Sequence, residues 1–263
     1  MSEYKAIKQE TKGSTMWVRL MRPVAMNSLN LAMLEELETV FSEASINNEI
    51  RVIVLTGVGA AFCVGADLKE IMGSLGNSNG DGPDFLDRVA NLFSMIRNCP
   101  KPVIAGLNGF TMAGGLELTM CCDIVIAAES AKIGDAHSNF GVFPGAGGAA
   151  VLPKRVGASN AKYMLFTGNN FSAETMKLQG LVQEVVPDDE LESFISELAN
   201  NLARKSPLVL HQMKEVANAS LEMSEKGALL FELKTLRNHF HSYDFKEGLA
   251  AFNEKRIPNF KGC

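Results

Sequence analysis

Three short, uninterrupted apolar runs constrain this chain more than any other feature. They are Val52-Ile53-Val54-Leu55-Thr56-Gly57, Pro102-Val103-Ile104-Ala105-Gly106 and Ile124-Val125-Ile126-Ala127. None alternates with polar residues, so each reads as a strand covered on both faces, as in the parallel sheets of α/β proteins. Segments of helical period lie between them: Phe85 to Arg97 is one, and Gly114-Gly115 opens another running through Met120. Earlier, Trp17-Val18-Arg19-Leu20-Met21 alternates as a half-buried strand and is ended by Arg22-Pro23. Asn30 is placed to cap a helix with Met33, Leu34, Leu37, Val40, Phe41 and Ala44 on one face. This order predicts an α/β fold with mostly parallel pairing. After about Val182 the pattern changes: Asp188 precedes a helix bearing Leu191, Phe194, Ile195, Leu198 and Leu202, and everything from Pro207 onward reads helical.

Composition serves mainly to exclude. The 263 residues are 46% hydrophobic and 21% charged, which is ordinary for a globular chain. A net charge of −5 and the lack of a Lys/Arg stripe argue against a nucleic-acid partner, and the same balance argues against an anionic lipid surface. Cysteines 63, 99, 121, 122 and 263 are odd in number and form no CxxC pair, so neither a disulfide framework nor a structural metal site is expected. The opening MSEYKAIKQETKG is too polar for a targeting signal, and the uncharged stretch Val52 to Ala66 is broken by three glycines and too short to span a bilayer. A cytoplasmic protein with no metal, no membrane partner and no nucleic acid is the expectation. The Gly, Asn and Ser rich stretch from Met72 to Pro83 reads as a mobile loop and a candidate lid.

Two glycine clusters follow the apolar runs. Ala60-Ala61-Phe62-Cys63-Val64-Gly65-Ala66-Asp67 comes after the first, and Ala113-Gly114-Gly115-Leu116-Glu117 comes after the second, at a helix start. Small residues let backbone approach a ligand closely, and the free N–H groups of a first helical turn favour negative charge. Two such amides aimed at one oxygen would form an oxyanion hole. Taken singly, either cluster reads equally as a turn or a close-packing site. Neither fits a phosphate-binding glycine motif. Glu117, one turn into an apolar helix (GGLELTMCC), is either a simple first-turn carboxylate or a buried one with a chemical role.

The segments KPVIAGLNGFTMAGGLELTMCCD and FGVFPGAGG closely resemble the crotonase superfamily of enoyl-CoA hydratases and isomerases. RPVAMNSLN (22–30), AFCVGADLKE (61–70), LFTGNNFSAETMKLQGLVQEVVP (165–187) and EGLAAFNEKRIPNF (247–260) extend the resemblance along nearly the whole chain. The resemblance implies a crotonase-like spiral of ββα repeats over residues 1–187, carrying an acyl-CoA site. It implies a helical C-terminal oligomerisation region over 188–263, building a homotrimer or a dimer of trimers. It implies oxyanion-hole amides at Ala66 and Gly114. Val24, Ala25 and Met26 would touch the nucleotide end of coenzyme A, and Ala66, Asp67, Leu68 and Lys69 would line the pantetheine and acyl path. No cofactor is implied beyond the coenzyme A of the substrate.

Glu117 matches the first of two glutamates that hydratases of this family set on the attacking water. The second position, twenty residues on, holds His137 instead. An imidazole can act as acid or base near neutral pH but cannot copy a carboxylate pair. Asp135 stands two residues earlier and, were the segment extended, would point to the same side as His137. The implied reaction is addition of water to a 2-enoyl-CoA through an enolate. The alternatives are an isomerase, hydrolase or decarboxylase using the same hole, or a catalytically silent binding member. His211, His239 and His241 read as surface or interface residues of the helical tail.

Overall fold

The apolar runs form the middle of a six-stranded sheet. The computed structural model describes residues 4–76, with 74–76 by backbone alone, and residues 84–263. Its strands are β1 (Ile7–Lys12), β2 (Thr15–Leu20), β3 (Val52–Gly57), β4 (Ala61–Cys63), β5 (Val103–Leu107), β6 (Phe110–Met112), β7 (Ile124–Ala128), β8 (Lys132–Gly134), β9 (Phe171–Ser172) and β10 (Glu184–Val186). The larger sheet has the order β1-β2-β3-β5-β7-β10, antiparallel only between β1 and β2. Every residue of β3 and β5 is buried, as unbroken apolar runs require.

A second sheet, β4-β6-β8-β9, is invisible to periodicity because its members are two or three residues long. Each central strand of the large sheet is followed within a few residues by a strand of the small one: β3 by β4, β5 by β6, β7 by β8. Helices close each turn, namely α2 (Leu68–Gly76) and α3 (Phe85–Arg97), then α4 (Gly114–Thr119), then α5 (Leu152–Val156), α6 (Ala158–Thr167) and α7 (Ala173–Leu178). The strand order of both sheets therefore advances together, turn by turn, as a spiral of ββα units.

The first core lies on one face of the large sheet, where the helix α1 (Leu31–Ile46) buries Met33, Leu34, Leu37, Val40, Phe41 and Ala44, the six positions its pattern named. Asn30 caps it, Oδ1 accepting from Met33 N at 3.0 Å. The other face is covered by α8 (Leu191–Ala203), whose Leu191, Ile195 and Ala199 pack on Trp17, Val54, Ile104 and Ile126. This helix lies beyond residue 188 yet completes the sheet's core.

The last helices are α9 (Pro207–Ser220), α10 (Glu225–His239) and α11 (Tyr243–Glu254). They leave Met213, Leu229, Leu230, Leu233, Leu236 and Phe252 exposed. The C-terminal segment is tied back by two buried carboxylates. Asp244 accepts from Ser206 Oγ, Lys261 N and Gly262 N, and Glu247 takes a bidentate bond from Arg256 at 2.6 and 2.9 Å. Among the described residues no helix is long and apolar enough to cross a membrane.

Two expectations are corrected. The stretch from Met72 begins helically, as the end of α2, and its remainder, 77–83, lies outside the described residues. His239, expected at the surface or an interface, is buried within the chain, edge-on to Phe245 with Ser242 Oγ 3.3 Å from Nδ1.

Candidate active site

The three parallel strands of the small sheet end side by side, and each hands its chain to a residue with positive φ. After β4 this is Gly65 (φ +105°), after β6 Ala113 (φ +49°), after β8 Ala136 (φ +61°). The two alanines are strained there, since an L side chain rarely adopts such a conformation. In each case the backbone turns sharply just where the residues of interest begin.

The first two turns bring two amides together. Gly65 O accepts from Leu29 N, and Leu29 O accepts from Asp67 N, each at 2.8 Å, so this segment is pinned on both sides of Ala66. Ala66 N itself donates to no acceptor among the described residues, and neither does Gly114 N at the first position of α4. The segments are pressed close: a Cβ on Gly114 would lie 3.1 Å from Gly65 Cα and 3.4 Å from Ala66 N. One on Gly115 would meet Cys63 O at 2.0 Å, which only glycine avoids. Two free, adjacent, preorganised donors can hold one oxygen that gains negative charge.

Glu117 lies one turn into α4 and is 3% exposed. Its Oε1 accepts from Ala146 N at 2.9 Å and Gly148 N at 2.8 Å, which explains the chemical use of the PGAGG run. Its Oε2 makes no hydrogen bond with the described residues. Burial pushes its pKa up; the amides of Gly148 and Ala146 and the nearby His137 pull the other way without cancelling that effect. It is thus a fixed carboxylate with a raised proton affinity and one free oxygen, suited to act as a base.

His137 begins a short 3-10 turn (His137–Phe140), so the segment is not extended and alternation is not what aligns it with Asp135. The left-handed Ala136 between them folds the ring back. Nδ1 lies 2.9 Å from Asp135 Oδ1, which also accepts the His137 backbone N–H at 3.2 Å. Burial alone would lower the imidazole pKa; the hydrogen bond and charge of Asp135 and the charge of Glu117 outweigh it, leaving it raised.

A cleft of about 710 Å³ opens beside these groups. Of the residues predicted from sequence, Ala25, Ala66, Asp67, Leu68, Lys69 and His137 line it. Gly114 and Glu117 are buried and are not among its lining. Val24, 102% exposed, and half-buried Met26 do not line it either. Sequence reasoning did not single out Arg22, Met112, Phe140 and Val142, which do. Arg22 bonds Asp67 Oδ2 at 2.9 Å and Ser28 O at 2.5 Å. That guanidinium holds the Asp67 carboxyl below the usual range. Nothing in the sequence signals a pairing across 45 positions, although an Arg in a turn rich in Asn and Ser was a fair prompt.

Comparison with known proteins agrees with this architecture. The model of the family described as enoyl-CoA hydratase/isomerase matches residues 10–263. A probable enoyl-CoA hydratase of Rhizobium meliloti is 36% identical, with 98% of each chain covered. The short-chain-enoyl-CoA hydratase of Clostridium acetobutylicum is 35% identical over 96% of each. The crystal structure of an enoyl-CoA hydratase from Bacillus anthracis superposes with a TM-score of 0.92 at 36% identity, covering 98% of this chain and 100% of the other.

Proposed function

The chain belongs to the enoyl-CoA hydratase/isomerase family, and from that premise we propose that it adds water across the double bond of a 2-enoyl-CoA thioester. The observation that carries this reading is the pair of unpaired amides, Ala66 N and Gly114 N, beside a buried carboxylate with one free oxygen. The thioester oxygen sits on the two amides. Glu117 takes a proton from water as the water oxygen bonds to the β-carbon. The electron pair of the double bond moves into an enolate, and its charge develops on that oxygen, where each donor contributes roughly 3–4 kcal/mol. His137, in place of a second carboxylate, delivers the proton to the α-carbon. The proton held by Glu117 then restores the pair, and no cofactor beyond the substrate's coenzyme A takes part.

The cleft supports a path for the substrate. Ala66, Asp67, Leu68 and Lys69 run along the pantetheine and acyl path, with Val24, Ala25 and Met26 at the nucleotide end. Arg22 is engaged with Asp67, so the phosphates fall to exposed Lys69 and to basic side chains of a neighbouring copy. The apolar side chains left exposed on α9 to α11 support assembly as a homotrimer or a dimer of trimers. The cytoplasm is the compartment we assign.

The test is the ultraviolet absorbance of the conjugated thioester in crotonyl-CoA. Its loss on adding the protein, with a 3-hydroxyacyl-CoA as product, supports hydration. A shifted double bond, free coenzyme A or released CO₂ would instead identify the isomerase, hydrolase or decarboxylase reading. No change with any chain length would leave a binding member.

A further inference from the structure

We propose that Asp135 is a positioning residue that fixes His137 with its proton on Nδ1 and its Nε2 free toward the cleft. This rests on the hydratase reading for its catalytic consequence, but the geometry stands apart from it. A carboxylate can only accept, so the contact of Nδ1 with Asp135 Oδ1 at 2.9 Å places a proton on Nδ1. The ring's reactive nitrogen is then Nε2, which makes no hydrogen bond with the described residues.

Three observations separate this from an ordinary structural contact. Asp135 is 1% exposed, and a buried carboxylate is normally tied to its surroundings by several donors. Here the two donors it has among the described residues, the backbone N–H and Nδ1–H of His137, belong to one residue. Its Oδ2 is buried with no hydrogen-bond partner among the described residues. The left-handed Ala136 is what folds His137 back onto it, a strained conformation in an alanine. The carboxylate therefore serves the histidine and little else.

The neighbourhood sets the charge. The charge of Glu117 acts on His137 from α4, and Gly148, whose N–H holds Glu117, is so close to Asp135 that a Cβ there would lie 2.8 Å from Oδ2. Arg22, Asp67 and Lys69 line the same cleft. The helix α6 packs beside the His137 turn with Lys162 and Tyr163 exposed. Asp135 touches the ring and Glu117 acts on it through its charge, and both favour imidazolium. In the reaction the ring acts as imidazolium: its Nε2–H breaks and that proton bonds to the α-carbon of the enolate. The remaining neutral imidazole keeps its proton on Nδ1, against Asp135 Oδ1.

The test uses nitrogen and proton NMR of the intact protein, with the His137 signals assigned by their loss in His137→Gln. In the unsubstituted protein the neutral ring should carry its proton on Nδ1. Asp135→Asn should move that proton to Nε2 and lower the imidazole pKa. It should also lower kcat by on the order of 10²–10³-fold and shift the basic limb of the kcat/KM profile to lower pH. A neutral Nε2–H form in the unsubstituted protein overturns the proposal, whether or not Asp135→Asn folds. So does a folded Asp135→Asn protein whose basic limb does not move, because a merely structural loss would leave it in place. If crotonyl-CoA is not hydrated at all, the hydratase reading fails while the tautomer measurement still decides the role of Asp135.

Discussion

The two sheets of this molecule divide its work. The large sheet is built from strands of up to six residues, its central ones buried on both faces between α1 and α8. The small sheet is built from pieces of two or three residues, each ending in a turn of unusual backbone geometry after β4, β6 and β8. Ala66, Gly114 with Glu117, and Asp135 with His137 follow those three pieces in turn. Long apolar strands supply burial, whereas short strands supply direction. The first kind of strand holds the fold, and the second aims backbone amides and side chains into one place.

That division can be broken or sharpened by substitution. The largest effect should come from the large-sheet side. Phe41→Ala empties a fully buried position in α1 and should cost about 3–5 kcal/mol of stability, read by denaturant titration. Turnover per folded molecule should stay near that of the parent. If turnover fell as far as stability, the large sheet would be more than a support. On the small-sheet side, Glu117→Gln should do the reverse. Its kcat should drop by about 10²–10⁴-fold, equivalent to roughly 3–5 kcal/mol of barrier, because the amide keeps an oxygen for Ala146 N and Gly148 N but cannot take a proton.

A milder probe is Gly114→Ala. Its Cβ would sit 3.1 Å from Gly65 Cα, forcing the two amide-bearing segments apart by a few tenths of an ångström. A loss in kcat of about tenfold is expected, with the substrate affinity of the distant coenzyme end retained.

The smallest effect lies in pH and stability. Glu117 has a raised pKa in the folded state, so the native protein holds that proton more tightly than the unfolded chain. Stability is therefore lost as pH rises from the ordinary value of 4.5 through the raised one, and levels off above it. Glu117→Gln removes that loss and should raise Tm slightly at neutral pH. His137 behaves oppositely to a burial-dominated histidine. Its raised pKa gives stability that is present below 6.5 and disappears as pH rises through the folded value. A Tm of Glu117→Gln below the parent's at neutral pH would mean that the carboxylate supports the fold as well as the chemistry.

The legible part of this protein was the part governed by burial. The runs at β3, β5 and β7, the six buried positions of α1 and the face of α8 follow from apolar pattern, because water excludes such surfaces wherever the chain places them. The glycines at 65, 114 and 115 and the carboxylate at 117 were also visible as unusual residues in apolar surroundings. The small sheet was not, since two or three residues hold no period and gain their pairing only from the strands beside them. Arg22 with Asp67 was missed for another reason: nothing local signals a pairing across 45 positions.

The sequence by itself determined the layered α/β core, the capped helix, and the identities of the groups able to do acid–base chemistry. Only the tertiary structure decided their relations. It put two free amides next to each other, turned one oxygen of Glu117 onto Ala146 and Gly148, and folded His137 back onto Asp135. Hydrophobicity is a property each residue carries with it, whereas a hydrogen bond needs two atoms at one distance and angle, and the chain fixes those only when its distant turns have closed.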